Sequence, residues 1–518
     1  MSAPPSSALA PEPAPLKGGT LVLLTVGLSL GTFMQVLDSS IANVSLPAIS
    51  GDLAVSPNQG TWVITSFAVS NAITLPLTGW LSRRFGDVRM FVLSTLLFTL
   101  ASWLCGLANS LPLLIAARVL QGAVAGPMVP LSQSLLLNSY PPEKKGLALA
   151  LWSMTVIVAP IIGPVLGGWI TDNISWPWIF YINLPVGLLS AFITWRLLGK
   201  RGSPTQHIPI DRMGLLLLVV GIGALQILLD KGNELDWFES PTILTLTAVA
   251  VVCLSMLVVW ELTDAHPIVD LHLLKNRNFL VGTLVLTIGY MVFFGNVVIL
   301  PLWLQTNMGY TATWAGLAAA PIGILPIFLA PLVGKNMHRI DLRLLATFSF
   351  SVFAATSFWN SQFNTDVTFT QIALPRLIMG FGMATFFVPL TALLLSDIPP
   401  HQLPSATGLS NFSRLLGGSF GTSLSITLWE RRESYHHSTL ASHFSAFDPQ
   451  AGTSPLPLPT TGAEPALLDQ LIHQQSVLLA TNDLFWLSGC LFSSLVLLIW
   501  LARPKPLGAA SVADSGAH

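Results

Sequence analysis

Arg118-Val-Leu-Gln-Gly122, followed by Val129-Pro130-Leu131, returns late in the chain as Arg376-Leu-Ile-Met-Gly380, followed by Val388-Pro389-Leu390. Both copies sit inside long apolar runs. A weaker echo links the turn Gly79-Trp-Leu-Ser-Arg-Arg-Phe-Gly-Asp87 to Gly334-Lys-Asn-Met-His-Arg-Ile-Asp341. The Gly-rich run 147–170 matches the run 405–429 in rank. Repetition of this kind makes the fold two copies of one unit. Parallel repeats of a membrane protein place a site near the midplane between them.

Composition fixes the class. The chain has 518 residues, 52% hydrophobic and 9% charged, where a soluble domain carries about 25% charged. Twenty-three basic and 24 acidic side chains cannot solvate a 55.6 kDa globule. A net charge of -1 gives no general attraction for nucleic acid. Cys105, Cys253 and Cys490 all lie in apolar runs, without disulfide or metal spacing, and read as packing residues.

A spanning helix needs about 20 mostly apolar residues. Fourteen runs qualify as spans 1 to 14: 20–46, 60–81, 89–108, 111–138, 147–170, 175–195, 213–229, 241–262, 279–302, 313–333, 344–359, 367–395, 405–429 and 484–502. The runs are unbroken rather than alternating, so they read as helices and not barrel strands. The fold expected is an all-α polytopic membrane protein of fourteen transmembrane helices. In each repeat span n pairs with span n+8, so two inserted helices separate two six-helix halves. The expected divisions are a disordered tail 1–19, a first half 20–195, an insert with linkers 196–278, a second half 279–502 and a tail 503–518.

Basic residues in the loops orient the chain. With the N-terminus in the cytoplasm, Lys17, Arg83, Arg84, Arg89, Lys144, Lys145, Arg196, Lys200, Arg201, Arg212, Lys275, Arg277, Lys335, Arg339, Arg343, Arg503 and Lys505 all face inward. Only Lys231, Arg431 and Arg432 then fall outside. The long outer segment 430–483 opens on Glu430-Arg-Arg-Glu433, passes His436, His437 and His443, then a Pro/Gly-rich stretch 449–465. The histidines match no standard metal spacing.

Charge inside hydrocarbon is rare and usually functional. Asp38, Arg118, Arg376 and Arg414 are the clear cases. Asp38 is the one carboxylate well inside a span. Burial penalises its charged form, so it suits the loading and release of a proton. A static ion pair with an arginine, or a helix N-cap, is the plainer reading. Arg118 needs an acceptor; Asp38, carbonyls of span 1 and Gln121, one turn further on, are candidates. It either drives Asp38 back to its charged form or pins span 4 to span 1. Arg376 is its repeat counterpart, and Arg414 can snorkel.

In span 5, Gly163 and Gly167 form a small-xxx-small face, with Pro160, Pro164 and Gly168 around them. Gly79, Arg83, Arg84, Gly86, Asp87 and Arg89 form either a cytoplasmic gate or ordinary basic anchoring. Gln35, Asn71, Gln121 and Phe294 are weak candidates for a substrate cavity. No phosphate-binding loop, zinc-protease helix or nucleophile elbow occurs, so neither a nucleotide-driven pump nor a hydrolase is supported, and no cofactor is expected.

Leu37-Asp38-Ser-Ser-Ile-Ala-Asn43-Val-Ser-Leu-Pro47, Arg118-Val-Leu-Gln-Gly122 and Gly163-Pro164-Val-Leu-Gly167-Gly168 occur in that order. They resemble the first-, fourth- and fifth-helix motifs of the major facilitator superfamily, in its fourteen-span drug:proton antiporter branch. Longer strings, Gly60-Thr-Trp-Val-Ile-Thr-Ser66 and Tyr310-Thr-Ala-Thr-Trp-Ala-Gly316 among them, are similar to bacterial multidrug exporters of that branch. The resemblance covers the chain apart from its tails. It implies an inner-membrane antiporter that expels hydrophobic drug-like substrates in exchange for protons by alternating access. It also implies a periplasmic adaptor of the EmrA type and a TolC-type outer-membrane channel as partners. Arg83 departs from the pattern, since the family usually has an acidic residue there, which puts the usual charge relay in doubt. Export of a siderophore, fatty acid or other metabolite is the alternative on the same fold; a polytopic membrane enzyme or sensor is the alternative from another class.

Overall fold

A computed structural model describes residues 18–200, 205, 209–264, 267–442 and 464–503. The tails 1–17 and 504–518, His443 and nearly all of the Pro/Gly-rich stretch lie outside the described residues. Every expected span is helical. Span 1 is Gly19–Asp52, span 3 Asp87–Gly106, span 5 Lys145–Asn173, span 7 Arg212–Lys231, span 8 Pro241–Thr263, span 9 Arg277–Thr306, span 11 Leu342–Asn360 and span 12 Phe369–Leu394. Span 4 joins Leu111–Ala125 to Met128–Ser139, and span 6 ends in Asn183–Leu198.

Eleven helices among the described residues are long and apolar enough to cross a membrane, or 12 with the bent span 5 counted. Fourteen was expected. Spans 2 and 13 fall short, for a physical reason. Span 2 breaks near Pro76 into Trp62–Thr74 and Thr78–Phe85. Span 13 is the 40-residue helix Leu403–Ser442, whose membrane-depth part carries Ser405, Thr407, Ser410, Asn411, Ser413 and Arg414. Both helices face the other half of the protein, where polar side chains find partners rather than lipid.

The repeat reappears in the packing. Span 1 packs on spans 5 and 6, span 3 on spans 4 and 6, and span 2 on span 4. Spans 9 to 14 repeat this pattern partner for partner. Close approach needs glycine at equivalent places. A Cβ on Gly163 or Gly167 would strike Ser40 or Ile41 of span 1. One on Gly417 or Gly421 would strike the backbone of Thr287 or Met291 of span 9. Outward, Phe192 and Phe328 are each 67% exposed and Leu497 76%, an apolar skin suited to lipid.

The halves meet along a seam at the end that carries residues 79–86. Gly79 lies so close to Ser405 that a Cβ would reach its Cα at 2.8 Å. Gly146 of span 5 and Gly334 of span 10 are in equally close contact. The two echoed turns thus supply matching seam contacts. Span 7 lies across the seam on its other side. Gln226 donates to Ser419 at 3.1 Å and Ser423 donates to the Leu229 carbonyl at 2.7 Å, while Lys231 donates to Thr61 at 2.7 Å.

The segment 430–483 is helical at both of its described ends. Span 13 continues as helix to Ser442, and the last helix already begins at Glu464. Polar pairs join the two continuations: His436 to Asp483 at 2.7 Å and His473 to Glu433 at 3.2 Å. No metal-holding cluster occurs among the described residues.

Candidate functional site

Asp38 lies in the middle of the Gly19–Asp52 helix with no exposed surface. The N-cap reading is thereby excluded. A carboxylate buried this deeply needs hydrogen-bond donors and a countercharge, and the first half supplies both. Arg118 Nη1 donates to Asp38 Oδ2 at 2.6 Å. Gln121 Nε2 donates to Oδ1 at 3.0 Å, and Asn183 Nδ2 donates to the same oxygen at 2.9 Å. Ser102 accepts from both amides, at 2.7 Å from Gln121 and 3.1 Å from Asn183.

Arg118 is 1% exposed. Its Nε donates to the Val63 carbonyl at 3.0 Å and its Nη1 also reaches Gln121 Oε1 at 2.7 Å. The guanidinium carbon sits 4.3 Å from the Phe67 ring centroid and 5.6 Å from that of Phe180. The carbonyl partner therefore belongs to span 2, not to span 1 as expected. Spans 1, 2, 3, 4 and 6 all contribute to the cluster, and each side chain holds the next in place. Gln121 is a member of this buried cluster, with no exposed surface, rather than a cavity-lining residue.

The cluster touches both seam helices of its half. Arg118 grips span 2 through Val63. Ser40, two residues after Asp38, packs against Gly163 of span 5, and Ile41 against Gly167. Gly168 faces Val44 more loosely, at 3.8 Å. Span 5 bends by 44° between the helical stretches ending at Pro160 and starting at Val165. Pro160 is exposed; the side chain of Pro164 lies outside the described residues.

The other expected residues scatter. Gln35 and Asn71 are 6% and 8% exposed, and the side-chain oxygen of each is buried without a hydrogen-bond partner. Phe294 is 37% exposed and stacks on Tyr290 at 5.7 Å. Around the 79–89 turn, Gly86 has φ +83 and separates the two helices, and Asp87 accepts from Ser82 of its own turn. Arg84 lies over Trp80 at 5.6 Å, and Arg89 is exposed. The contact across the seam here is the steric one at Gly79, and no salt bridge from Arg83 or Arg89 is found among the described residues.

Sequence reasoning missed Asn183 and Ser102, both uncharged. An asparagine buried within an apolar span was the available signal for Asn183. It also missed Glu261, fully buried near the end of span 8, which accepts from the Val269 backbone at 3.1 Å and fastens the following loop.

The family model described as Major Facilitator Superfamily matches residues 28–422. The chain is 53% identical to "Multidrug export protein EmrB" of Haemophilus influenzae, over 95% of this chain and 98% of that protein. It is 52% identical to the protein of the same name from Escherichia coli K12, over 97% and 99%. It is 49% identical to "Fatty acid resistance protein FarB" of Neisseria gonorrhoeae, over 95% and 97%. Among solved structures, the proton:xylose symporter XylE shares the fold, with a TM-score of 0.60, 16% identity, and cover of 95% of this chain and 99% of that one. The chain belongs to the Major Facilitator Superfamily, and it is a transporter rather than an enzyme.

Proposed function

We propose that this transporter exports hydrophobic toxicants across the bacterial inner membrane in exchange for protons, with both termini in the cytoplasm. The observation that carries the reading is the Asp38 cluster. It is a carboxylate with no exposed surface, balanced by one arginine and linked to both helices that carry the seam. The similarity to multidrug exporters over nearly the whole chain supports the direction of transport.

The chemistry runs as follows. With Asp38 charged, Arg118 and the two amides hold spans 1, 2, 4 and 6 together around it. A proton on Oδ2 removes the charge that faces Arg118. The guanidinium then keeps only the Gln121 oxygen, the Val63 carbonyl and two aromatic faces. Its grip on span 1 weakens while its grip on span 2 remains. Spans 2 and 5 carry the contacts Gly79–Ser405 and Gly146–Gly334, so a shift of span 1 against them changes the seam. Protonation and substrate binding each favour one arrangement of the halves, and that difference couples the two fluxes.

A periplasmic adaptor and an outer-membrane channel complete the export path in this reading. The helical continuations beyond Trp429 offer the surface on which an adaptor would sit. Export of a fatty acid is the second reading, favoured by the 49% identity to the fatty acid resistance protein. The test is purified protein in proteoliposomes, loaded with ethidium or a medium-chain fatty acid, under an imposed pH gradient. Efflux that follows the gradient and stops when the gradient is collapsed is the expected result. Efflux indifferent to the gradient overturns proton coupling.

A further inference from the structure

One cation between the two halves has no acid beside it among the described residues. Span 13 meets the first half through Thr407, which donates to the Pro130 carbonyl at 3.2 Å, and Asn411, which donates to Gln133 Oε1 at 3.1 Å. Arg414 follows three residues later on the same helix face, one turn beyond the closed seam. It was expected to snorkel, but its Nη1 instead donates to the Tyr290 hydroxyl of span 9 at 3.2 Å.

The surroundings are aromatic. The guanidinium carbon lies 5.1 Å from the Tyr290 ring centroid and 5.5 Å from that of Phe387. Phe387 stacks at 5.6 Å on Trp152, which belongs to the first half. Tyr290 stacks on the partly exposed Phe294. Arg414 therefore stands where the two halves face each other, on a floor of rings that both halves build.

Its electrostatics differ from those of the other two intramembrane arginines. Arg118 is matched by Asp38, and Arg376 is sealed in the second half at 3% exposure. Arg414 is half-buried, and among the described residues no carboxylate lies within salt-bridge reach of it. Its Nε and Nη2 make no hydrogen bond within the described protein. Aromatic faces soften the cost of burying a cation but do not neutralise it. An open guanidinium edge beside a hydroxyl is suited to a carboxylate or similar oxyanion, taken by two parallel hydrogen bonds.

We propose that Arg414 is the specificity-determining residue of the transport site, and that it selects organic anions with an apolar body. The headgroup binds the free Nε/Nη2 edge, with Tyr290 steadying the guanidinium, and the body lies on the exposed Phe294. This rests on the transport reading above. It separates the substrate's charge from the proton's site, because Asp38 already has its own arginine.

The experiment measures equilibrium binding to the purified full chain with three probes: 2-naphthoate, its neutral isostere 2-naphthamide, and tetraphenylphosphonium. Wild type is expected to bind naphthoate more tightly than naphthamide. Arg414→Gln is expected to lower the naphthoate-to-naphthamide affinity ratio by about 10-fold, the loss of charge-assisted hydrogen bonds. Arg414→Lys, which keeps the charge but not the fork, should recover part of that ratio. An equal loss for all three probes would mark Arg414 as structural and overturn the proposal, as would an unchanged ratio or no naphthoate preference in wild type. Failure of the transport reading shows separately, as wild-type proteoliposomes that move no probe under a pH gradient.

Discussion

Asn296 holds the place in the second half that Asp38 holds in the first. Each lies 80 residues before the repeat arginine of its half, Arg376 or Arg118. Each is buried in the first helix of its half and bonded to the last. Asn183 donates to Asp38 at 2.9 Å, and Ser488 donates to Asn296 at 3.0 Å. The second half has kept the architecture and replaced the acid by a neutral amide. Among the described residues Arg376 makes one hydrogen bond, to the Met379 sulfur at 3.8 Å, and its Nη2 is buried without a partner.

That asymmetry makes a stability prediction. Arg118→Met leaves Asp38 buried and charged without its partner, a loss of about 3–5 kcal/mol. Arg376→Met removes an unmatched buried cation and should be neutral or stabilising. Thermal unfolding of the two variants in detergent reads the difference; equal losses would show that Arg376 has an acid partner after all.

The pair itself can be removed whole. Asp38→Leu combined with Arg118→Met should regain most of the stability lost by Arg118→Met alone, because no unpaired charge remains. Substrate efflux driven by a pH gradient should nevertheless stay abolished. A double variant that folds and still responds to the gradient would take the pair out of the coupling mechanism.

At the seam, Gly79→Val places a side chain against the backbone of Ser405, where even a Cβ comes within 2.8 Å. The closed end should open. Spin labels at Arg89→Cys and His401→Cys, both exposed residues, report the separation of the halves there, in a background lacking the three native cysteines. Gly79→Val should shift the distance distribution to longer values, and an unchanged distribution would remove Gly79 from the gate.

Much of this was legible in the residues. The apolar runs fold as helices, because burial in hydrocarbon forces internal backbone hydrogen bonding, though eleven or twelve rather than fourteen are long and apolar enough among the described residues to cross a membrane. Asp38, Arg118 and Gln121 announced themselves because charge and amide are conspicuous in such runs. Val63 did not, since a helix carbonyl that accepts a side chain leaves no mark in sequence. Asn183 carried the same amide signal, but 145 residues separate it from Asp38 and nothing in the sequence links the two; Ser102, 64 residues away, is one serine among many in the spans. Spans 2 and 13 were read as membrane spans like the rest. Their polar residues instead face the seam, which only the packing of the two halves reveals. Arg414 looked like a residue free to reach the membrane surface until Tyr290 and Phe387 were found holding it.

The most direct measurement is proton movement that depends on substrate. Proteoliposomes holding a pH-sensitive dye and a pH gradient are given substrate, and the collapse of the gradient is followed for wild type and Asp38→Asn. The account predicts substrate-dependent proton flux in wild type and none above the empty-vesicle leak in Asp38→Asn, with substrate binding retained. Full proton flux through a folded, substrate-binding Asp38→Asn would contradict it.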